Sequence, residues 1–526
     1  MALKTVHPCR QHCLCVPHPE HSCTSVTRRE FIAGMGTLAL GGCALSTLRA
    51  GEKLVTPNSR QVHPMIATLK VRPVLVFEIP QRREAVSWRS WGGIQTREHV
   101  VQEKERISKE LVRLLACAEF PIELLNLEEV ETPEQAARVA SGDHDVLLIY
   151  AAGNHAGVLD ALVRRDKWNL MYLRHNTGPV YLWYEVAHPI FLRKTVDQFA
   201  QTGLQTRDVV VDDYTEILWR LRSLHGLKKS LGRRIVAIGG SGGWGAGGAE
   251  APNLAREVWQ MDIQDVSYEQ LGKSIAKGRS NAALVASCQR EAKDYLSQRG
   301  VTLRTSLDAV VNAFVLKEVF LDILEEYQCD AITVQWCMGT IMPLAETTAC
   351  LPLSLLNDEG YLAFCESDFV VIPSGILLQG ICGMPVFLND PTYPHDNQIT
   401  LAHCTAPRKM NGRKVERAII LTHFESDYGA APKVEMKIGQ KVTNLIPDFS
   451  ARNWVGCSGT ILANPFLDIC RSQIDVKLDG NCDELVAEMK GFHWMTSYGN
   501  YLKEIGYALE KVGVKWNNIS GEESAS

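Results

Sequence analysis

Residues Tyr361-Leu-Ala-Phe-Cys-Glu-Ser-Asp, the apolar segment from Phe369 to Cys382, and Gly383-Met-Pro-Val-Phe-Leu-Asn-Asp make up the stretch on which the fold turns. Each outer piece is short, largely apolar and ends in acids, while the middle piece has the length of a helix. Strand, helix, strand in that order predicts a βαβ unit with parallel strands and a right-handed crossover. The unit delivers Glu366 and Asp390 to the carboxyl edge of one sheet, where open α/β proteins bind ligands. The next run, Gln398-Ile-Thr-Leu-Ala-His, adds a strand ending in His403. A single acid at a strand end is an ordinary cap. Two acids and a histidine ending three successive strands instead suit a divalent metal with open positions, such as Mn²⁺.

The same alternation extends outward. Arg72-Pro-Val-Leu-Val-Phe-Glu-Ile reads as a strand, residues 100–117 as an amphipathic helix, Asp145-Val-Leu-Leu-Ile-Tyr as a buried strand, and Val158–Arg165 as a helix. A basic stretch from Arg220 to Arg234 precedes a new strand, Ile235-Val-Ala-Ile, so a boundary is expected near 230. Ala282-Ala-Leu-Val-Ala is read as a further strand, with helices near 288–299 and 306–327. From about 412 to 480 the period drops to two, as in Val434-Glu-Met-Lys-Ile and Ile474-Asp-Val-Lys-Leu, predicting antiparallel β structure. The expected architecture is two doubly wound Rossmann-like domains, 69–229 and 230–329, then a mixed α/β metal-binding domain, 330–526, with an antiparallel β tail.

The chain has 526 residues, 46% hydrophobic and 22% charged, with a net charge of −5. This length exceeds a single core, and the slightly acidic balance gives no footprint for nucleic acid. Five of sixteen cysteines fall in the first 43 residues. The other eleven are scattered through apolar runs without paired spacing, which reads as buried free thiols.

Residues 1–50 form a targeting segment. Arg28-Arg29 precedes an uncharged stretch from Phe31 to Leu48 that contains four glycines, followed by a small-residue exit. This resembles a twin-arginine export signal, which implies the twin-arginine machinery as a partner and a periplasmic or otherwise exported location. Leu40-Gly-Gly-Cys resembles a lipobox with Cys43 as the lipidated residue, and a short membrane anchor is the alternative. Cys9, Cys13, Cys15 and Cys23 with nearby histidines have zinc-type ligands but match no compact finger. Residues 51–68 read as a polar linker.

Cys365-Glu-Ser-Asp, the 24-residue step from Glu366 to Asp390, and Leu401-Ala-His-Cys resemble the carboxy-terminal half of the L-fucose and L-arabinose isomerases. The resemblance implies that Glu366 and Asp390 are the metal-binding carboxylates and that His493, in Gly491-Phe-His-Trp, is the late histidine ligand. His403 resembles the histidine used by the arabinose enzymes and is the fourth candidate. Those enzymes have Glu at the position of Asp390, and two adjacent late histidines where this chain has His493-Trp494. The implied activity is a metal-dependent aldose–ketose isomerisation of a pentose or 6-deoxyhexose through an enediol, with Glu366 and Asp390 catalytic. The family's oligomers imply a homo-oligomer here.

Two alternatives stay open. One is an exported sugar-binding protein on the same scaffold without the chemistry. The other is a dinucleotide-dependent oxidoreductase using Gly239-Gly-Ser-Gly-Gly-Trp-Gly, which fits G-x-G-x-x-G after a strand and has Asp262 at ribose-binding distance along the chain. Pro252 interrupts the segment, so no suitable helix N-terminus follows it. His423, Glu425, Glu346 and a loop containing Trp88 and Trp91 are further residues within sequence reach of a sugar site.

Overall fold

The run Val146–Ala151 is buried along its whole length, as a strand must be when helices cover both faces of a parallel sheet. A computed structural model, describing residues 67–153, 156–181 and 203–521, places it at the centre of the first sheet. Its neighbours are Leu69–Val76 on one side and Trp168–Leu173, then Val209–Val211, on the other; Ile122–Leu124 and Glu128–Val130 both pair with Leu69–Val76, and every pairing is parallel. The helix Arg97–Cys117 starts where the Thr96 side chain accepts a bond from His99 N, and it buries Val100, Ile107, Leu111 and Leu114. That 3–4 spacing is the apolar stripe expected of a helix covering a sheet.

A second parallel sheet has the order Leu362–Cys365, Ala331–Val334, Arg234–Ile238, Asp262–Val266. The basic stretch from Arg220 forms the end of the helix Tyr214–Ser230. That helix packs closely on Ile372–Cys382, since a Cβ on Gly380 would lie 2.9 Å from Gly226 O. Ala282-Ala-Leu-Val-Ala is not a strand but opens the helix Ala282–Ser297. The Asn281 side chain caps it by accepting from Ala283 N and Leu284 N, and Cys288, Ala292 and Tyr295 carry its buried face. A strong cap and a 4–3 spacing outweigh a short apolar run.

The third layer is a closed antiparallel barrel of six strands. In order these are Lys441–Pro447, Trp494–Tyr498, Phe387–Pro391, Gln398–His403, Ser472–Leu478 and Asn453–Ala463, which pairs back onto Lys441–Pro447. Closure removes exposed edges. Ile399, Leu401, Ile474, Val476 and Leu478 fill its core at every second position. Lys515–Asn518 adds a parallel strand to Asn453–Ala463. Val301–Arg304, Arg417–Leu421 and Ala431–Glu435 make a separate small sheet. The protein is therefore mixed α/β, with parallel sheets and an antiparallel barrel.

The expected βαβ unit does not form. Leu362–Cys365 lies in the second parallel sheet, whereas Phe387–Pro391 lies in the barrel, antiparallel to both neighbours. The sequence of the second strand explains this. A strand inside a parallel sheet is apolar almost throughout, but Phe387-Leu-Asn-Asp-Pro turns polar after two residues. In the barrel, buried Asn389 finds a partner, donating to Thr496 Oγ1 at 2.9 Å. The expected export segment with Cys43, the early Cys/His cluster and residues 51–66 of the expected linker lie outside the described residues. Among the described residues no helix is long and apolar enough to cross a membrane.

Candidate metal centre

The carboxyl edge of the second sheet faces the barrel, and the predicted residues meet there although they come from different sheets. Glu366 follows the strand Leu362–Cys365 in a left-handed turn, with φ 67° at Glu366 and 47° at Ser367. That conformation costs a non-glycine residue about 1–2 kcal/mol and persists where the surroundings over-determine it. Here Ser367 N donates to Thr333 Oγ1 at 3.1 Å, and the glycine loop clamps the next residues through Gly242 N to Ser367 O and Phe369 N to Gly242 O. Asp390 and His403 come from adjacent barrel strands, with Asp390 paired to Ala402. His493 immediately precedes the strand Trp494–Tyr498.

Glu366 spans the two imidazoles. Its Oε1 lies 3.4 Å from His403 Nε2 and its Oε2 lies 3.3 Å from His493 Nε2. Asp390 Oδ1 is 3.2 Å from the same His493 nitrogen. On the far side of the ring, His493 Nδ1 is 2.7 Å from Asp368 Oδ2, and both side chains are fully buried. A proton on Nδ1 donated to Asp368 turns the Nε2 lone pair toward Glu366 and Asp390, the arrangement that orients a histidine for a metal. His403 Nδ1 faces Thr405 Oγ1 at 3.0 Å, so its Nε2 likewise points inward.

Three of these buried atoms, Asp390 Oδ1, His403 Nε2 and His493 Nε2, have no hydrogen-bond partner. Lone pairs gathered and left unbonded in a buried place are costly unless a cation sits among them. Glu366, His403 and His493 place ligand atoms within 4.8 Å of one another, and Asp390 joins them through the His493 contact. This donor set fits a first-row divalent ion.

The electrostatics point the same way. Burial opposes a charge on His493, but the bond to Asp368 and the Glu366 carboxylate outweigh it and lift its pKa to about 10. Burial opposes ionisation of Glu366 too, yet its contacts with His403 and His493 hold it well below the usual carboxylate range. Burial pushes Asp390 up despite the two histidines. A proton on an imidazole and a divalent cation answer the same excess of negative charge, and a cation does so without occupying the Nε2 lone pair.

The group opens onto a cavity of about 500 Å³. Trp244, from the glycine loop, donates its indole N–H to Glu366 Oε2 at 2.6 Å and stacks on Phe492 with ring centres 4.8 Å apart. Gly243 serves packing within the loop, since a Cβ there would fall 2.5 Å from Gly248 O. Asp262 is ion-paired to Arg234 at the amino end of the sheet, the opposite edge from that loop, so the two cannot share a nucleotide. His423 and Glu425 line the cavity. Glu346 pairs instead with Arg279, and Trp88 and Trp91 do not line it.

Sequence reasoning missed Asp368, Trp244, Trp336 and Phe492. Asp368 stood in the quoted Cys365-Glu-Ser-Asp motif, two residues past Glu366, and Trp244 stood inside the glycine motif. No known protein family and no curated protein matches this sequence.

Proposed function

We propose that the protein is a divalent-metal-dependent aldose–ketose isomerase acting on an unphosphorylated sugar. The observation that carries this reading is the convergence of Glu366, Asp390, His403 and His493, with three buried ligand atoms that lack hydrogen-bond partners, beside a cavity that Glu366, Asp390 and His403 line. Among the described residues no lysine or arginine lines that cavity, which favours a neutral polyol over a sugar phosphate. Its walls are mainly apolar with a few polar groups, as small-molecule sites usually are.

Glu366, Asp390, His493 and His403 would hold the ion, with Mn²⁺ the proposed metal. When bound, it supplies Lewis acidity at the sugar carbonyl and stabilises charge on oxygen. The chain's own groups move the protons. Glu366 or Asp390 takes the proton from C2 of the open-chain aldose, and the C–H electron pair becomes the C1–C2 double bond of an enediol as the carbonyl pair moves to O1. The same carboxylic acid returns the proton to C1, while the O2 proton passes to O1, giving the ketose. Asp368 keeps the His493 ring in place, and Trp244 fixes one oxygen of Glu366.

Exposed Trp336, Met338 and Phe492 stand around the cavity mouth. Apolar rims of this kind mark interaction surfaces, which supports a homo-oligomer whose subunits cover one another's sites. Incubation with a panel of pentoses and 6-deoxyhexoses plus Mn²⁺, read as ketose formation, tests the reading. Metal uptake with no turnover on any sugar would replace the enzyme by a binding protein on the same scaffold. Export is part of the proposal: Arg28→Lys with Arg29→Lys should leave folded protein in the cytoplasm on fractionation. Equal export of parent and variant would point to a general secretory route or an anchor.

A further inference from the structure

Beside the carboxylate–imidazole group, the same cavity carries a second ligand set of different chemistry. Cys350, Cys404 and His423 are buried, and their ligand atoms lie within 4.8 Å of one another. All three line the cavity, so an ion has a way in. Cys350 is the first residue of the nine-residue helix Cys350–Asp358. Cys404 follows His403 at the end of the barrel strand Gln398–His403, and its side chain packs with those of Cys350 and Cys470. His423 turns Nδ1 to Ser426 Oγ at 3.2 Å, which leaves Nε2 as the ligand atom, with Glu425 Oε2 4.0 Å away.

The geometry is close to what zinc requires. Tetrahedral coordination at a Zn–S length of about 2.3 Å separates two thiolate sulfurs by about 3.8 Å. Side chains already within 4.8 Å therefore need only small rotations. Hydrogen bonding among thiols is weak and does not account for three metal-type ligands converging on a cavity wall. The carboxylate–imidazole set suits a harder ion, whereas thiolates select a soft one. Two neighbouring sites of unlike softness can thus sort two different metals.

We propose that Cys350, Cys404 and His423 form a second metal site that takes Zn²⁺, with its fourth position open to the cavity. Binding exchanges the two thiol protons for the ion and oxidises nothing. The site stands independently of the isomerase reading, because it shares no ligand with Glu366, Asp390 or His493.

Full-length protein, stripped of metal and kept reduced with a non-chelating phosphine, is titrated with Co²⁺. The expected result is a thiolate-to-cobalt charge-transfer band in the near ultraviolet that an equivalent of Zn²⁺ bleaches. Absence of that band in the wild type overturns the proposal. Glu366→Gln with Asp390→Asn should keep the band, which separates this site from the proposed isomerase centre; its loss there would mean one shared site and would overturn the second. Cys404→Ala should abolish the band, and exposed Cys117→Ser should not. Should Cys404→Ala fail to fold by circular dichroism, His423→Gln decides, with Zn²⁺ affinity down about tenfold or more. An unchanged band and unchanged affinity in these variants overturn the assignment.

Discussion

Glu366 reaches the candidate metal centre from a left-handed turn at the edge of a parallel sheet, whereas Asp390 and His403 reach it from regular, hydrogen-bonded barrel strands. One half of the site is held in a strained backbone, the other in a relaxed one. The turn at the parallel edge is held by groups of its own sheet, Thr333 on the adjacent strand and the glycine loop at Gly242 that follows Arg234–Ile238. The barrel side supports itself: Asn389 donates to Thr496 Oγ1, and Thr496 in turn donates to Asn444 Oδ1 at 2.7 Å. The barrel positions the imidazoles and one acid, and the turn at the sheet edge brings the remaining carboxylate to them.

Removing one anionic ligand from each half is the most severe test. Glu366→Gln with Asp390→Asn should abolish binding of the Mn²⁺-type ion, read by metal analysis after dialysis, and lower turnover by about 10²–10⁴-fold. Retention of metal as tight as in the wild type would show that the two halves do not share an ion. A gentler variant tests the orienting bond between the halves. Asp368→Asn keeps the shape but loses the anionic acceptor of His493 Nδ1, and Mn²⁺ affinity should fall about 10–100-fold. Unchanged affinity would mean that His493 is held by packing alone.

These contrasts also mark what was legible in the sequence. Parallel strands such as Val146–Ala151 announce themselves because both faces are buried and the run is unbroken. The strand-end acids were legible as a pair, yet the route by which they meet was not. Adjacency in the chain suggested one sheet, while closure of the barrel depends on pairing Phe387–Pro391 with Trp494–Tyr498, about a hundred residues later. Local pattern does not encode such a partner. Nor does it reveal that a tryptophan in a glycine loop will reach Glu366, because that contact exists only once two sheets abut.

Stability separates the halves in opposite directions. Thr496→Val, isosteric and fully buried in the barrel, leaves Asn389 and Asn444 each short of a partner. It should cost about 1–3 kcal/mol, seen as a lower denaturant midpoint for the metal-free protein. No change would mean that water replaces the hydroxyl.

The parallel edge should respond the other way, by a smaller amount. Ser367 holds φ 47° and buries a hydroxyl with no hydrogen-bond partner. Ser367→Gly removes the left-handed penalty of about 1–2 kcal/mol and the unpaired hydroxyl, while the backbone bond from residue 367 N to Thr333 Oγ1 is kept. Glycine adds freedom to the unfolded chain, worth about 0.5–1 kcal/mol against folding. The balance is a gain of about 1 kcal/mol, read as a higher denaturant midpoint. The same change loosens the turn that presents Glu366, so Mn²⁺ affinity should fall as stability rises. A midpoint that falls together with the affinity would show that the turn is not strained, and that the edge of the sheet is as settled as the barrel.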